Sequence, residues 1–291
     1  MRALALSGGG AKIHYHAGAI RHLLGTLRIP YEIVAGVSAG AIVAAQLAQY
    51  PVGFEDEAAQ DLEELLSRVT INEVRRSWRP LGALQGLWKP SFYSSAPLRA
   101  LLRRELSQEA IRGSGKVLRV GAVCAETGQF KLFTQESADV IGAVIGSSAF
   151  PGILEPMRML GQMWIDGGVR VVTPIAAAIE AGADEIDVVM TSPEKPRHGS
   201  IGHEPTALEI IERSIEYMAE EIIEKDLKLA LYMNALVSGN FMPTKRLIRF
   251  NVIRPAASLG DTFDFSAEGA AIMRVQGQQD AQRVMAAAAV Q

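Results

Sequence analysis

Ser38 is the residue in this chain whose neighbours best suit covalent chemistry. It lies in Gly36-Val37-Ser38-Ala39-Gly40, which matches G-x-S-x-G, and the motif separates a strand-like apolar run from an alanine-rich helical run. A nucleophile elbow needs this order, because a sharp turn exposes the hydroxyl while the glycines leave room where strand and helix crowd together. The motif therefore predicts that Ser38 is a nucleophile.

Three glycines near the N-terminus could supply the matching anion site. Gly8, Gly9 and Gly10 follow the first predicted strand and open a helix, so their backbone N–H groups can converge on one negative charge. A phosphate loop is the competing interpretation, but the G-x-x-x-x-G-K-[ST] and G-x-G-x-x-G patterns are absent. We expect an oxyanion hole beside Ser38, with a purely structural glycine turn as the alternative. Lys12, which follows the loop, is a candidate accessory residue that could stabilise developing charge or point outward.

The serine also needs a base to accept its proton. Asp166 ends a short apolar run and precedes two glycines, although an aspartate before glycine commonly caps a turn. His198 and His203 come after Asp166, in the chain order Ser…Asp…His of α/β-hydrolases. His14 and His16 lie just past the glycine loop, where we expect a packing or supporting role. From these residues alone, the base stays open between the aspartate and a histidine.

Short apolar runs alternate with longer helical patterns, which predicts a single α/β domain over residues 1–291. The predicted strands cover 2–6, 31–35, 117–124, 129–133, 162–165, 185–191 and 247–253, and the predicted helices cover 12–25, 39–50, 54–68, 95–107, 137–146, 173–182, 205–238 and 267–288. This alternation implies crossover connections and a mostly parallel sheet covered on both faces. Ligands bind beyond the carboxyl ends of such strands, so the turns after residues 6, 35 and 165 should form the site. The Met and aromatic residues of 205–242 are expected in the core rather than along an acyl channel.

Composition excludes several classes of protein. The 291 residues are 48% hydrophobic and 21% charged with a formal net charge of −3, unlike disordered, collagenous or dedicated nucleic-acid-binding chains. The single cysteine, Cys124, cannot form an internal disulfide and is expected to be buried, and no Cys/His cluster has zinc spacing, which together favour a reducing, cytoplasmic location. We expect no transmembrane segment, because no apolar run approaches about 18 residues. Peripheral attachment to a membrane and leaderless export both stay open.

Charge is distributed unevenly along the chain. Residues 65–120 hold eleven Lys/Arg against three Glu, a balance of +8, whereas residues 180–226 hold thirteen Asp/Glu against four Lys/Arg, a balance of −9. The first interpretation is two solvated faces that partly complement each other. The second is that the basic stretch, in which Arg75, Arg76 and Trp78 lie close together, attracts an anionic substrate or a membrane surface.

The chain resembles the patatin-like phospholipase family at three sites. Gly8-Gly9-Gly10-Ala11-Lys12 corresponds to that family's Gly-Gly-Gly-x-Arg/Lys oxyanion loop, Gly36 to Gly40 to its elbow, and Asp166-Gly167-Gly168 to its Asp-Gly-Gly/Ala motif. The motifs occur in the family's order and at similar spacing. Ile13, where a glycine usually follows the basic residue, and Val172-Thr173-Pro174, in place of the commoner Asn-x-Pro, depart from the pattern without removing a catalytic atom.

The resemblance implies a three-layer α/β/α fold and the hydrolysis of lipid acyl esters by a Ser–Asp dyad, with no metal or organic cofactor. Carried over residue by residue, Ser38 is the nucleophile, Asp166 is the base, and the N–H groups of Gly8 to Gly10 form the oxyanion hole. The expected partner is a lipid or ester substrate, with no nucleic acid. The alternatives are a soluble carboxylesterase or thioesterase with the same dyad, and a non-catalytic lipid-binding protein on the same fold.

Overall fold

A computed structural model describes residues 1–80, 82–193, 207–242 and 245–289. Within those residues the strands are β1 (Arg2–Leu6), β2 (Ile33–Val37), β3 (Arg76–Ser77), β4 (Tyr93–Ser94), β5 (Val117–Cys124), β6 (Phe130–Thr134), β7 (Met157–Met159), β8 (Gln162–Asp166), β9 (Glu185–Val189) and β10 (Arg249–Ile253). The helices are α1 (Ile13–Ile20), α2 (Ala39–Leu47), α3 (Glu55–Ser67), α4 (Ile71–Val74), α5 (Ala96–Glu105), α6 (Gln108–Gly113), α7 (Val140–Ser147), α8 (Ile175–Glu180), α9 (Ala207–Ser238) and α10 (Ala267–Ala288).

Eight of these strands form one mixed sheet in the order β10-β9-β1-β2-β5-β8-β7, with β6 also paired to β5. The strands β10, β9, β1, β2 and β5 are parallel neighbours, which confirms the predicted mostly parallel sheet. In contrast, β6 and β8 run antiparallel to β5, and β7 runs antiparallel to β8. The two remaining strands, β3 and β4, pair with each other as a separate ribbon.

Helices cover both faces of the sheet, as the family resemblance implies. On β1, Leu4 and Leu6 join a core with residues of α1, α2, α3, α5 and α7, whereas Ala3 and Ala5 belong to a second core with residues of α8 and α9. This alternation follows from the two-residue period of a strand, which points successive side chains to opposite faces. The result is a three-layer α/β/α arrangement.

Several predicted boundaries move by a few residues. The strand predicted at 31–35 is Ile33–Val37, because Gly36 and Val37 still pair with Val120 and Gly121 of β5. The helix predicted at 12–25 is divided into a 3-10 turn at Gly10–Lys12, α1, and a π-helical segment at Arg21–Thr26. The predicted helix at 267–288 is confirmed as α10. The short elements α4, α6, β3, β4 and β7 had no predicted counterpart, because two to six residues carry too little periodicity.

The outer side of α9 differs from the sequence prediction. This helix buries Ile223 and Leu227 against the second core. Five of the six Met and aromatic side chains that were expected in the core are instead exposed, and the sixth, Met242, is half-buried, so that prediction is wrong. The exposed members are Tyr217 (44%), Met218 (58%), Tyr232 (67%), Met233 (37%) and Phe241 (78%). Cys124 is 2% exposed, which confirms that it is buried.

One fully buried charge lies inside the sheet, on β9. Asp187 is 0% exposed, and its carboxylate accepts hydrogen bonds from Arg2 Nε at 2.9 Å and from Asn251 Nδ2 at 2.6 Å. The Tyr31 hydroxyl donates a further hydrogen bond to it. Because a buried charge is tolerated when it is paired and hydrogen-bonded, these donors account for an aspartate in this position.

Candidate active site

Ser38 lies in a strained turn between β2 and α2. Its φ of 56° and ψ of −125° form a combination that side-chain-bearing residues rarely adopt. A Cβ added to Gly36 would lie 2.1 Å from the Gly40 carbonyl oxygen, and one added to Gly40 would lie 2.3 Å from the Leu6 carbonyl oxygen. Both glycines are therefore required by close backbone approach, which is the physical reason for the G-x-S-x-G pattern here.

Two serines that the sequence analysis did not assign hold this turn in place. The Ser38 N–H donates to Ser147 Oγ at 2.9 Å, and the Ser147 hydroxyl donates to the Gly121 carbonyl oxygen at 2.6 Å. The Ser148 hydroxyl lies 3.3 Å from the Ser38 carbonyl oxygen and 2.9 Å from that of Val144. Nothing local to α7 reveals contacts with a turn about a hundred residues earlier in the chain.

The strand β5 brings Asp166 to Ser38. Val37, the last residue of β2, is opposite Gly121, and Asp166, the last residue of β8, is opposite Ala122. Since β6 takes the other side of Ala122, β2 and β8 occupy the same side of β5. β2 runs parallel to β5 and β8 runs antiparallel to it, so the carboxyl ends of β2 and β8 face each other beside Gly121 and Ala122. The prediction of a mostly parallel sheet did not give the direction of the strand before Asp166, and β8 reaches the site antiparallel to β5.

The Asp166 carboxylate is buried with few hydrogen-bond donors. It is 3% exposed, and its Oδ1 accepts a hydrogen bond from the Gly168 N–H at 2.7 Å. Burial raises the pKa of Asp166 to about 6, although interactions with the Ser38 side chain and the Gly168 N–H act in the opposite direction. A base with this pKa is better matched to neutral pH than a free aspartate with a pKa near 3.9. The Ser38 hydroxyl therefore has a proton acceptor beside it.

The three N–H groups of the glycine loop are not equivalent. The Gly8 N–H donates to the Val172 carbonyl oxygen at 3.0 Å, so the expectation of three oxyanion donors does not hold for Gly8. Among the described residues, no backbone acceptor is recorded for the N–H groups of Gly9 and Gly10. Gly8 instead sets the distance between the loop and the turn, because a Cβ added to it would lie 3.3 Å from Ser38 Cβ.

Close contacts explain why the next two loop positions are glycines. A Cβ added to Gly9 would lie 2.6 Å from Thr191 Oγ1, and one added to Gly10 would lie 2.5 Å from the Thr262 carbonyl oxygen. Gly10 also has a φ of 55°, which favours glycine. The Thr191 hydroxyl donates to the Gly8 carbonyl oxygen at 2.7 Å and so helps to hold the glycine loop in place.

Ser38, Asp166 and the glycine loop line one cavity of about 880 Å³. This volume falls in the range of roughly 300–1,000 Å³ that is typical of ligand pockets. Aliphatic side chains form much of the wall, and those from α3, α5 and the segments after α3 and α7 are Leu65, Leu66, Val69, Leu98, Leu101, Leu102, Ile153 and Leu154. Such a wall suits an apolar chain attached to a reacting ester.

The other candidates from the sequence separate into two groups. Lys12 lines the same cavity. His14 and His16 are buried in α1 and do not belong to the lining, and burial lowers the pKa of each to about 4, so both are neutral at pH 7. A packing role fits both histidines. His198 and His203 lie outside the described residues.

Where the structure describes them, the basic stretch (65–120) and the acidic stretch (180–226) form few ion pairs with each other. Among the described residues, carboxylates of 180–226 pair with Arg2, Arg246, Arg249 and Arg254. In the basic stretch, Arg68 and Arg104 pair with Glu105. An electrostatic interaction of Arg119 with Glu180 is the exception. Complementary faces therefore do not explain the asymmetry in this part of the chain.

Among the described residues, no group of three or more His, Cys, Asp and Glu side chains is arranged to share a metal ion. None of the helices in this part of the chain combines the length and the apolar character that a membrane span requires.

A family model described as patatin-like phospholipase matches residues 4–179, which include every residue of the candidate site named above except Thr191 and Thr262. Patatin-like phospholipase domain-containing proteins of Aspergillus oryzae and Chaetomium globosum are 29% and 30% identical to this chain over 201 and 199 residues, about 60% of the chain in each case. The aligned regions cover only 27% and 22% of those relatives, so the chain matches about a quarter of their length.

Two solved structures are also similar to this chain. VipD from Legionella pneumophila is 14% identical, with a TM-score of 0.47, and the alignment covers 98% of this chain and 67% of that one. The type III effector protein ExoU is 17% identical, with a TM-score of 0.43, and the alignment covers 97% of this chain and 52% of that one.

Proposed function

Because the chain belongs to the patatin-like phospholipase family, we propose that it hydrolyses acyl esters of lipids, with Ser38 as nucleophile and Asp166 as general base. The observation that carries this proposal is the meeting of β2 and β8 on β5. It leaves a serine in a strained turn beside a buried carboxylate, and both line an apolar cavity. Nucleophile, base and binding space are the parts that acyl transfer needs.

The reaction has two halves. In the first, Asp166 accepts the Ser38 proton while Oγ attacks the ester carbonyl, and it then passes that proton to the departing alcohol. The products are an acyl-serine and an ionised Asp166. In the second half, Asp166 accepts a proton from water as the water oxygen attacks the acyl-serine. The proton returns to Ser38 Oγ, and the fatty acid leaves.

The negative charge on the carbonyl oxygen needs donors that are already oriented. We assign this role to the N–H groups of Gly9 and Gly10, because the Gly8 N–H is used by Val172. Ala39 adds a third candidate donor that the sequence analysis missed. As the first residue of α2 it has no intrahelical acceptor for its N–H, and it lines the cavity at the positive end of that helix.

The wall of the cavity supports the proposed substrate class. Aliphatic residues suit a long acyl chain, so a lipid is favoured over a small soluble ester. Lys12 is an accessory residue that would stabilise negative charge near the loop. We place the protein in the cytoplasm, where it would draw lipid from a membrane surface as a peripheral enzyme.

The proposal is tested by labelling with a fluorophosphonate probe and by hydrolysis of esters with acyl chains of increasing length. Wild-type protein should be labelled on Ser38 and should prefer long chains, and Ser38→Ala should lose both labelling and hydrolysis. Ser192→Ala is the matched control, because Ser192 also lines the cavity and should be dispensable. A preference for short chains would support the soluble esterase instead, and absence of labelling would support the non-catalytic lipid-binding protein.

A further inference from the structure

Arg75 differs from most arginines of the basic stretch in where its guanidinium lies. It follows α4 and lines the same cavity as Ser38, where it is partly buried. Its Cζ lies 4.2 Å from the centroid of the Tyr93 ring and 5.4 Å from that of the Phe263 ring. Phe263 in turn packs edge-on against Phe150, at 5.7 Å between centroids, and both of these phenylalanines line the cavity. The guanidinium thus contacts two aromatic rings, of which Phe263 belongs to the cavity wall.

In the part of the chain that the structure describes, no carboxylate forms an ion pair with the Arg75 guanidinium. Among the described residues, Arg68 and Arg104 form ion pairs with Glu105, and Arg99 donates to the carbonyl oxygens of Glu155 and Pro156. The Arg75 side chain makes no ion pair and no hydrogen bond with the other described residues. Rings hold the flat faces of a guanidinium, so its N–H groups at the edge stay free to donate.

We propose that Arg75 binds an anionic oxygen cluster, such as a phosphate, on the alcohol side of the ester substrate. This inference rests on the proposed function and deepens it, because it makes the enzyme selective for acyl esters that carry a negative head group. A guanidinium presents several N–H donors in one plane and can contact two oxygens of a phosphate at once. The aliphatic wall takes the acyl chain, and Arg75 takes the charged end.

The adjacent residue supplies a matched control. Arg76 is exposed and does not belong to the cavity lining. If positive charge on this surface acted only by attracting anionic lipids in general, removing either arginine would have the same effect. If Arg75 is a binding residue, the two variants should differ.

The experiment uses two substrates with the same oleoyl ester: lysophosphatidic acid, which carries a phosphate, and monooleoylglycerol, which does not. In mixed neutral micelles, Arg75→Gln should lower kcat/KM for the phosphate substrate by about 10- to 100-fold, as expected for a hydrogen-bonded charge. The same variant should change kcat/KM for the neutral substrate by less than about threefold. Arg76→Gln should leave both values unchanged, and Arg75→Lys should recover part of the loss.

Two kinetic outcomes would overturn the inference. Equal losses on both substrates in Arg75→Gln would mean that Arg75 only supports the wall, and equal selective losses in Arg75→Gln and Arg76→Gln would mean a general surface-charge effect. A binding measurement decides the matter without turnover. Calorimetry should detect lysophosphatidic acid binding to Ser38→Ala but not to Ser38→Ala combined with Arg75→Gln, and equal binding by both rejects the inference. Failure of the proposed function has a separate signature, which is the absence of fluorophosphonate labelling on Ser38.

Discussion

Asp166 and Asp187 lie in the same sheet and are almost equally buried, yet their surroundings differ. Asp187 accepts hydrogen bonds from Arg2, Asn251 and Tyr31, and one of these donors carries a positive charge. Asp166 has one N–H donor, from Gly168, and the hydroxyl of Ser38 nearby. Burial alone therefore does not identify a functional carboxylate.

The difference lies in how completely the negative charge is compensated. A buried carboxylate with a charged partner and two further donors has its hydrogen-bonding capacity satisfied, so Asp187 serves to join strands. Asp166 has fewer partners among the described residues, and burial raises its pKa to about 6. One aspartate should accordingly be important for stability, and the other for proton transfer at some cost to stability.

The largest expected effect is on catalysis. Asp166→Asn and Ser38→Ala should each lower kcat by about 10²- to 10⁴-fold, because we propose that both side chains take part in the same proton transfer. The double variant should be no slower than either single variant. Steady-state hydrolysis of a long-chain ester measures all three. Retention by Asp166→Asn of more than about a tenth of kcat would show that another group is the base.

The second effect concerns Asp187. Asp187→Ala should lower the free energy of unfolding by about 3–5 kcal/mol, because it removes the buried acceptor that Arg2, Tyr31 and Asn251 share and leaves Arg2 with the partly exposed Glu185. Urea unfolding followed by circular dichroism measures this loss. Tyr31→Phe, which removes one neutral donor, should cost less, about 1–3 kcal/mol. The kcat of the folded fraction of Asp187→Ala should stay well above that of Asp166→Asn. An equal fall in kcat would contradict the assignment of different roles to the two aspartates.

The third, smaller effect is a gain in stability: replacing Asp166 should stabilise the protein, whereas replacing Asp187 should destabilise it. The pKa of Asp166 is about 6 in the folded protein and should be near 3.9 in the unfolded chain. Between pH 4 and 6 the folded protein holds a proton that the unfolded chain has released, so this group lowers stability as the pH rises through that window. At pH 7.5, Asp166→Asn should be more stable than wild type by up to about 3 kcal/mol. Below pH 4 the difference should vanish in urea unfolding; an equal difference at both pH values would argue against the raised pKa.

The smallest effect is the pH dependence of activity. Asp166 must be ionised to accept a proton, so kcat/KM should fall about tenfold for each pH unit below about 6. Initial rates on a neutral ester between pH 4.5 and 8 measure this profile without adding an ionisable head group. A midpoint near 4 would argue against the raised pKa of Asp166.

Sequence patterns predicted those parts of the site that are set by neighbours along the chain. The elbow around Ser38 follows from two glycines and a strand-to-helix change within a few residues, and the loop at Gly9 and Gly10 is similarly local. The direction of β8 could not be predicted, because it depends on pairing with β5 some forty residues earlier. The contact between the Gly8 N–H and Val172 was hidden for the same reason.

The position of Arg75 shows a second limit of sequence interpretation. Its charge is evident in the sequence, but its location depends on Tyr93 and on Phe263, which lies nearly 190 residues later. The same holds for the outer side of α9, where composition suggested a core helix although only one side faces the sheet. Local spacing predicts which elements form, whereas their exposed faces are decided by distant partners.

Because β2 and β8 meet end to end, each strand also limits how far the other can slip along β5. A strand that slips against its neighbour must move by two residues to keep its side chains on the correct face. Such a slip of β2 toward the carboxyl end of β5 would drive Ser38 into the space of Asp166, and the opposite slip would open a gap of about 7 Å between them. Hydrolytic activity should therefore report on the register of the central sheet, since a misaligned sheet cannot keep the two side chains in contact.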